Sequence, residues 1–542
     1  FSYEAVNSAD RLTVPLIKEN GAWRETDWNS ALEFTVSGLR AVVRQHGAHT
    51  LGALAGAHST LEEFYLLQKL VRALGSDNVD HRLRQYDFSD DDRLPTFPWL
   101  GQAITDLEQL DSVLLIGSNI RKEQPLLGLR LRKAFLRGAQ VMAVNPLDYE
   151  FTFDLSAKVI AAPDGLAPAL ARITKALCKA SQQALPVGVE AWCAHGEAGA
   201  AEQTIAETLL RGVHVSVLVG GLAQSHPQAA VLRALAETIA KLSGAKLGVL
   251  TEANSTGAWL AGCVPQRGAG GERVAQPGRN AHAMLAEPLK GYIVMNAEPE
   301  LDCWDGAAAR RALAQAPFVV ALSSFRGAAA DAYAQVQLPL AAFTETAGTF
   351  VNCEGRWQSF EPAVPPPGAA RPGWKILRVL GNLLGLGGFD YTSADEVRAA
   401  VPATRTPSST LTRWQLAAPG ILPFATLVRP GTPAAPVKPE AMLQRIAERP
   451  MYTVDPLVRR APALLKTKDN PGPAPRMNAA QAEKLKLVAP ARVTVRAAGG
   501  EARLDLVIDA RVPDGCVLIP AGYAETVALG GYGAVTVEGA GA

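Results

Sequence analysis

The stretch from Phe343 to Gln358 gathers side chains with chemical potential: Glu345, Asn352, Cys353, Glu354 and Arg356, with glycines at 348 and 355. Glycine lets the backbone turn tightly, so Asn352 and Glu354 are pinned between two turns. Elsewhere, Glu298 and Glu300 have the look of paired carboxylates for acid–base work. Acids also gather at helix N-termini for electrostatic reasons alone, so the pair by itself names no catalytic site. Cys178, Cys193, Cys263, Cys303, Cys353 and Cys516 are scattered, and none forms the C-x-x-C pair that supplies clustered thiolates to zinc or iron–sulfur sites. They read as buried, reduced thiols. His46, His49 and His58 lack a zincin spacing. With no serine elbow, Ser-His-Asp arrangement or P-loop, no catalytic residue and no metal ligand is assigned.

The elements that must position these residues alternate between strand and helix. An apolar run, Pro317 to Leu322, and a second strand, Val336 to Pro339, lead into the central stretch. Thr60 with Glu63 forms a capping box, and Phe64, Leu67, Val71 and Leu74 recur at helical spacing until Gly75. Ser112 to Ile116 is an apolar strand ending in Gly117-Ser118-Asn119, followed by a helix that opens at Pro125 and closes at Gly138. Strands at 140–146 and 158–162 follow, and His214 to Gly221 repeats the strand–glycine arrangement. Alternation of this length predicts an α/β fold with doubly wound parallel sheets. Glycine at a strand's carboxyl end, beside a helix start, is a common seat for nucleotide phosphates, but no G-x-G-x-x-G is present. After a Pro- and Ala-rich stretch, four short β segments at 491–495, 502–508, 515–519 and 534–537 predict a small C-terminal β-barrel-like domain.

The 542 residues exceed a single hydrophobic core, and 48% apolar against 19% charged residues is ordinary globular composition. Lys and Arg number 53 against 52 acids, which leaves no positive field to hold nucleic acid. No apolar run reaches the roughly 18–20 residues of a membrane span, and no charged-then-apolar leader is expected from the opening residues. The expectation is a soluble protein that meets membranes only through partners. Phe1-Ser2-Tyr3-Glu4 reads as mid-domain, so the chain is expected to be a piece of a longer polypeptide.

The 345–358 pattern E-x-x-G-T-F-x-N-x-E-G-R-x-Q resembles the signature of the molybdopterin oxidoreductases and of their cofactor-less relatives, the large iron–sulfur subunits of bacterial respiratory NADH-quinone oxidoreductase (complex I). Further resemblances lie in Arg11 to Leu16, Glu252 to Ala258, and Asp455 to Leu464; the last two are nearer to the respiratory subunit. The resemblance implies that domains carrying 2Fe-2S and 4Fe-4S clusters precede Phe1, and that this portion itself holds no cofactor. It implies a structural portion of a proton-pumping oxidoreductase on the cytoplasmic side of the inner membrane, with other peripheral-arm subunits as partners.

The run Asp77 to Asp87 resembles the segment that delivers a Cys, selenocysteine or Ser to molybdenum, which puts Tyr86, or Gln85 one residue earlier, at the ligand position. Neither is a soft thiolate. The candidate vestigial pterin-site residues are therefore Gln85, Tyr86, Gly117, Ser118, Asn119, Asn352, Glu354 and Arg356. The alternatives are a molybdopterin (bis-guanine dinucleotide) oxidoreductase of formate dehydrogenase type and a nucleotide-binding regulatory domain using Gly117 and Gly220. The expected domains are 1–45 (lead-in after the iron–sulfur domain), 46–90 with 246–400 (discontinuous α/β), 91–245 (Rossmann-like), 401–450 (connector) and 451–542 (C-terminal β).

Overall fold

A computed structural model describes residues 3–186, 189–194, 196–402 and 442–539. Most of the expected 401–450 connector lies outside the described residues. The chain opens with β1 (Leu16–Glu19), β2 (Ala22–Glu25), α1 (Trp28–His46), β3 (Leu51–Ala55), α2 (Leu61–Ala73) and β4 (Val79–Asp80). There follow β5 (Ser112–Ile116), α3 (Pro125–Leu136), β6 (Gln140–Asn145), β7 (Ala157–Ile160), α4 (Leu166–Ser181), α5 (Ala200–Arg211), β8 (Val215–Val219), α6 (Ala229–Ser243) and β9 (Lys246–Val249). Next are α7 (Ser255–Ala261), β10 (Gly291–Met295), α8 (Gly306–Gln315), β11 (Phe318–Ser323), β12 (Val336–Pro339), β13 (Gly348–Val351), β14 (Trp357–Phe360) and α9 (Gly373–Leu383). The tail holds β15 (Leu443–Ile446), β16 (Arg476–Met477), β17 (Arg492–Ala497), β18 (Gly500–Asp505), β19 (Val507–Ile508), β20 (Cys516–Leu518) and β21 (Gly533–Gly539).

Two compact units result, the first drawn from Phe1–Gln85, Ala253–Thr406 and Tyr452–Asn470. Its sheet runs β2-β1-β12-β11-β10-β3-β4. The strands from β12 to β4 pair in parallel, and β1 joins antiparallel. Every residue of β3, β10 and β11 is buried, as continuous apolar strands covered on both faces require. Helix α2 starts at the Thr60–Glu63 capping box seen in the sequence. It packs against α7, α9 and the hairpin strand β13.

The second unit is drawn from Tyr86–Glu252, Pro407–Met451 and Pro471–Ala542. Its five-stranded parallel sheet runs β7-β6-β5-β8-β9, so the strand order reverses between β5 and β8. Ligands of open α/β sheets bind beyond the carboxyl ends of the strands at such a reversal, and Gly117 and Gly220 sit at that end here. Helices α4, α5 and α6 cover one face through a core that includes Leu170, Ile173, Leu209, Leu235 and Ile239. A seven-stranded sheet, β18-β17-β21-β15-β20-β16-β19, forms the barrel-like C-terminal part around Val493, Val495, Val517 and Val535.

Candidate functional site

Gly117, Ser118 and Asn119 stand at the β5–β8 switch point. Gly117 has φ +56°, and a Cβ there would lie 2.5 Å from the Ala223 amide nitrogen. The contact exists because the Gly117 carbonyl accepts the amides of Leu222 (3.0 Å) and Ala223 (3.3 Å) at the start of the short helical turn Gly221–Gln224. Asn145, at the end of β6, locks the neighbouring loop: its Oδ1 accepts the Ser118 amide (2.8 Å) and its Nδ2 donates to the Ser118 carbonyl (3.2 Å). The Gly221 amide faces Glu123 Oε2 at 3.5 Å, and Asn119 Nδ2 donates to Glu448 Oε1 at 3.2 Å. The Leu222 and Ala223 amides are thus committed to a carbonyl, and the Gly221 amide and Asn119 Nδ2 to carboxylates, while Ser118 Oγ is buried without a hydrogen-bond partner.

The electrostatics point the same way. The Glu123 side chain keeps contact with solvent, yet loss of bulk hydration among the surrounding protein and then the nearby Glu448 push its carboxyl up to about 8. Burial also raises Glu448. Burial, and then Glu448 and Glu123, raise the Tyr149 hydroxyl. A diphosphate placed here would bring more negative charge to a site that already struggles to ionise its own acids. Glu123 and Glu448 therefore disfavour an anion at this junction.

In the first unit, Asn352, Glu354 and Arg356 come together as the tip of the β13–β14 hairpin. Asn352 Oδ1 accepts the amides of Glu354 (3.1 Å) and Arg356 (2.9 Å), and Asn352 Nδ2 approaches Glu354 Oε1 at 3.4 Å. Arg356 Nε lies 3.3 Å from Glu354, and Gly355 takes φ +84° to close the turn. Asn352 is therefore a turn organiser, with its acceptor oxygen committed to the hairpin itself.

Residues below the hairpin explain the other signature positions. Asn254 Oδ1 accepts the Val351 amide at 2.7 Å, and its Nδ2 donates to the carbonyls of Ser59 (2.8 Å) and Thr349 (3.3 Å). A Cβ on Gly257 would lie 2.4 Å from that same Oδ1, which accounts for the glycine in the 252–258 run. Glu345 is gripped by Arg11 through two bonds of 2.7 and 2.6 Å, both side chains buried. Arg459 binds Glu298 (2.8 Å) and Asp302 (2.9 Å), while Arg460 reaches Glu298 at 2.6 Å. Sequence-distant motifs thus meet as structural clamps, and Glu298 of the suspected acid–base pair belongs to one of them. Burial pushes Glu300 up to about 7.

The 77–87 run, whose resemblance places a metal ligand at Gln85 or Tyr86, makes several bonds within the protein. Asp80 and Arg82 form a buried bidentate pair at 2.9 Å, with the guanidinium 5.1 Å from the Trp259 ring centroid. Burial alone would raise Asp80, but Arg82 outweighs it and holds the carboxyl below its ordinary value. His81 binds the Cys263 carbonyl (2.9 Å) and Ser255 Oγ (2.8 Å). Arg84 reaches the Val454 carbonyl. Gln85 ends the first unit's opening segment and Tyr86 begins the second unit's; they offer an amide and a phenol. Among the described residues, no group of three or more His, Cys, Asp or Glu is placed to hold a metal ion.

Glu62, and the burial of Glu63, emerge only in the structure. Glu62 accepts the Thr349 amide at 2.9 Å; Glu63 accepts the Thr60 amide at 2.9 Å and Asn296 Nδ2 at 3.2 Å. Burial, and then the Glu62 charge, push Glu63 up to about 7. The capping-box spacing marked Glu63, but nothing in the sequence signalled that the box would be sealed beneath α9.

The fold and motifs define the class: the chain belongs to the molybdopterin oxidoreductase family, whose profile matches residues 11–383, and a molybdopterin dinucleotide-binding domain profile matches residues 446–540. Among individual relatives, it is 28% identical over 376 residues to the mitochondrial NADH-ubiquinone oxidoreductase 78 kDa subunit of Candida albicans, covering 69% of this chain and 45% of that one. A NADH-quinone oxidoreductase subunit of Mycobacterium tuberculosis is 29% identical over 397 residues, with 67% and 45% covered. The F420-dependent formate dehydrogenase 2 subunit alpha of Methanococcus maripaludis is 27% identical over 458 residues, with 73% and 66% covered. The chain thus spans about half the length of several curated relatives. Acetylene hydratase from Pelobacter acetylenicus shares the fold with a TM-score of 0.68 at 15% identity, covering 97% of this chain and 89% of that one.

Proposed function

We propose that the chain is the structural, cofactor-less portion of the large iron–sulfur subunit of a proton-pumping NADH-quinone oxidoreductase. In this reading it buttresses an upstream region holding 2Fe-2S and 4Fe-4S clusters and docks to peripheral-arm subunits on the cytoplasmic side of the inner membrane. The observation that carries the reading is the β5–β8 junction, where Glu123 faces the Gly221 amide and Glu448 holds Asn119, in place of an anionic ligand. The likeness to two respiratory subunits supports it. Among the described residues no helix is long and apolar enough to cross a membrane, so attachment through partners accords with it.

A tagged full-length parent, purified from its own membranes, should co-purify with an NADH-oxidising quinone reductase. Co-purification instead with a formate-oxidising activity would favour the second reading, a formate dehydrogenase-type molybdopterin enzyme, which the likeness to the Methanococcus protein supports. In that reading Gln85 or Tyr86 would stand nearest the metal, and a bound pterin dinucleotide would supply two-electron redox chemistry.

A further inference from the structure

Helix α3 presents a leucine stripe to solvent. Leu126, Leu129 and Leu136 are 75%, 49% and 67% exposed. Their i, i+3, i+10 spacing, completed by Lys133 at i+7, puts them on one side of the helix, opposite the buried Leu127, Leu131 and Ala134. Three exposed leucines in register on one short helix are an unusual concentration of apolar surface.

Lys133 interrupts the stripe, and Arg130, Arg137 and Arg132 border it. Arg130, Lys133 and Arg137 share one acid, Glu108: Arg130 bonds to it directly, Lys133 Nζ lies at 3.1 Å and Arg137 at 3.8 Å. On the other edge Arg132 gives its guanidinium to the Thr152 carbonyl, a neutral partner. Glu108 is the one carboxylate that the described ion pairs give to these four cations, which leaves this surface positive. The end of the stripe is stiffened by an aromatic ladder, Phe135 against Phe153 at 6.2 Å and Phe153 stacked on Phe151 at 5.5 Å. An apolar centre with an arginine-rich border is the composition of a protein interface.

We propose that the exposed face of α3 docks an amphipathic helix of another protein subunit, apolar along its centre and edged with Asp and Glu. The fit is one of charge complementarity: acidic edges would neutralise Arg130, Arg132 and Arg137 while apolar residues cover the three leucines. A second copy of this chain is a poorer occupant, because α3 carries the same positive edges and would meet them in like charge. The identity of the partner rests on the functional reading above; the chemistry of the surface does not.

The test uses the full-length parent in its own cells, with Leu136→benzoylphenylalanine for photo-cross-linking and purification in detergent. The expected result is a light-dependent adduct whose mapped peptide is an apolar helix segment flanked by acids on a different subunit. The triple variant Leu126→Glu, Leu129→Glu, Leu136→Glu should lower recovery of that subunit at least tenfold, while the isolated chain melts within a few degrees of the unaltered protein. An adduct to a second copy, to upstream residues of the same polypeptide or to a basic segment would overturn the proposal, as would undiminished recovery with the triple variant. No adduct in an intact complex would overturn it too, yet leave the respiratory reading standing. An adduct to an acid-edged helix, found in a preparation without NADH-oxidising quinone reductase, would retain the docking face and remove the respiratory reading.

Discussion

At the scale of single residues, the sequence motifs prove to be clamps. Asn254, 1% exposed, satisfies three backbone groups from two segments. Asn254→Ala leaves those groups unpaired and opens a small void, which should cost about 2–4 kcal/mol in urea denaturation of the chain. Glu63 yields a signed pH prediction. Its carboxyl is raised by burial from the ordinary value of 4.5 to about 7. The folded state therefore holds a proton that the unfolded chain releases, so its unfavourable burial is absent below pH 4.5 and grows as pH rises toward 7. Glu63→Gln should gain stability relative to the unaltered chain between about pH 5 and 8, by roughly 2–3 kcal/mol at most; a pH-independent difference would contradict the assignment. The resemblance of the 345–358 pattern named Asn352, Glu354 and Arg356, but only the hairpin shows what their polar atoms hold. The acids Glu448 and Glu123 escaped notice because they are 325 positions apart by subtraction of their numbers, and only the fold brings both to the β5 end.

At the scale of elements, parallel strands were legible because burial on both faces leaves runs such as Val113-Leu114-Leu115-Ile116 with no polar alternation. The Thr60 capping box and Pro125 likewise marked real helix starts. The sheet orders were not legible, since they depend on pairing between segments far apart in sequence. The same holds for β1, whose antiparallel pairing with β12 adds an edge of opposite sense to an otherwise parallel run. The switch point makes a sharp demand on Gly117. Gly117→Ala combines a left-handed φ with a 2.5 Å approach to the Ala223 amide, so it should destabilise the chain by more than the ~1 kcal/mol of the backbone cost alone. Gly138→Ala is the matched comparison: φ is +103° but nothing lies within 4 Å, so only the backbone cost should appear in its melting temperature.

At the scale of the whole molecule, the family's two profiles are both present, but the groups at its expected contact points serve the protein itself. The strand-end amides serve Gly117 and Glu123, and the signature loop serves its own turn. The run from Asp77 to Asp87, expected from its resemblance to carry the metal ligand, contains no cysteine. This accords with a scaffold whose chemistry lies elsewhere in a larger assembly. The most direct measurement is molybdenum, tungsten and pterin content of the purified full-length protein, by elemental mass spectrometry and by fluorescence of an oxidised acid extract. The account predicts all three at background, with iron alone bound. Near-stoichiometric molybdenum or tungsten together with pterin would contradict it, and would turn Gln85, Tyr86 and the Asn352 hairpin from structural residues into neighbours of a working cofactor.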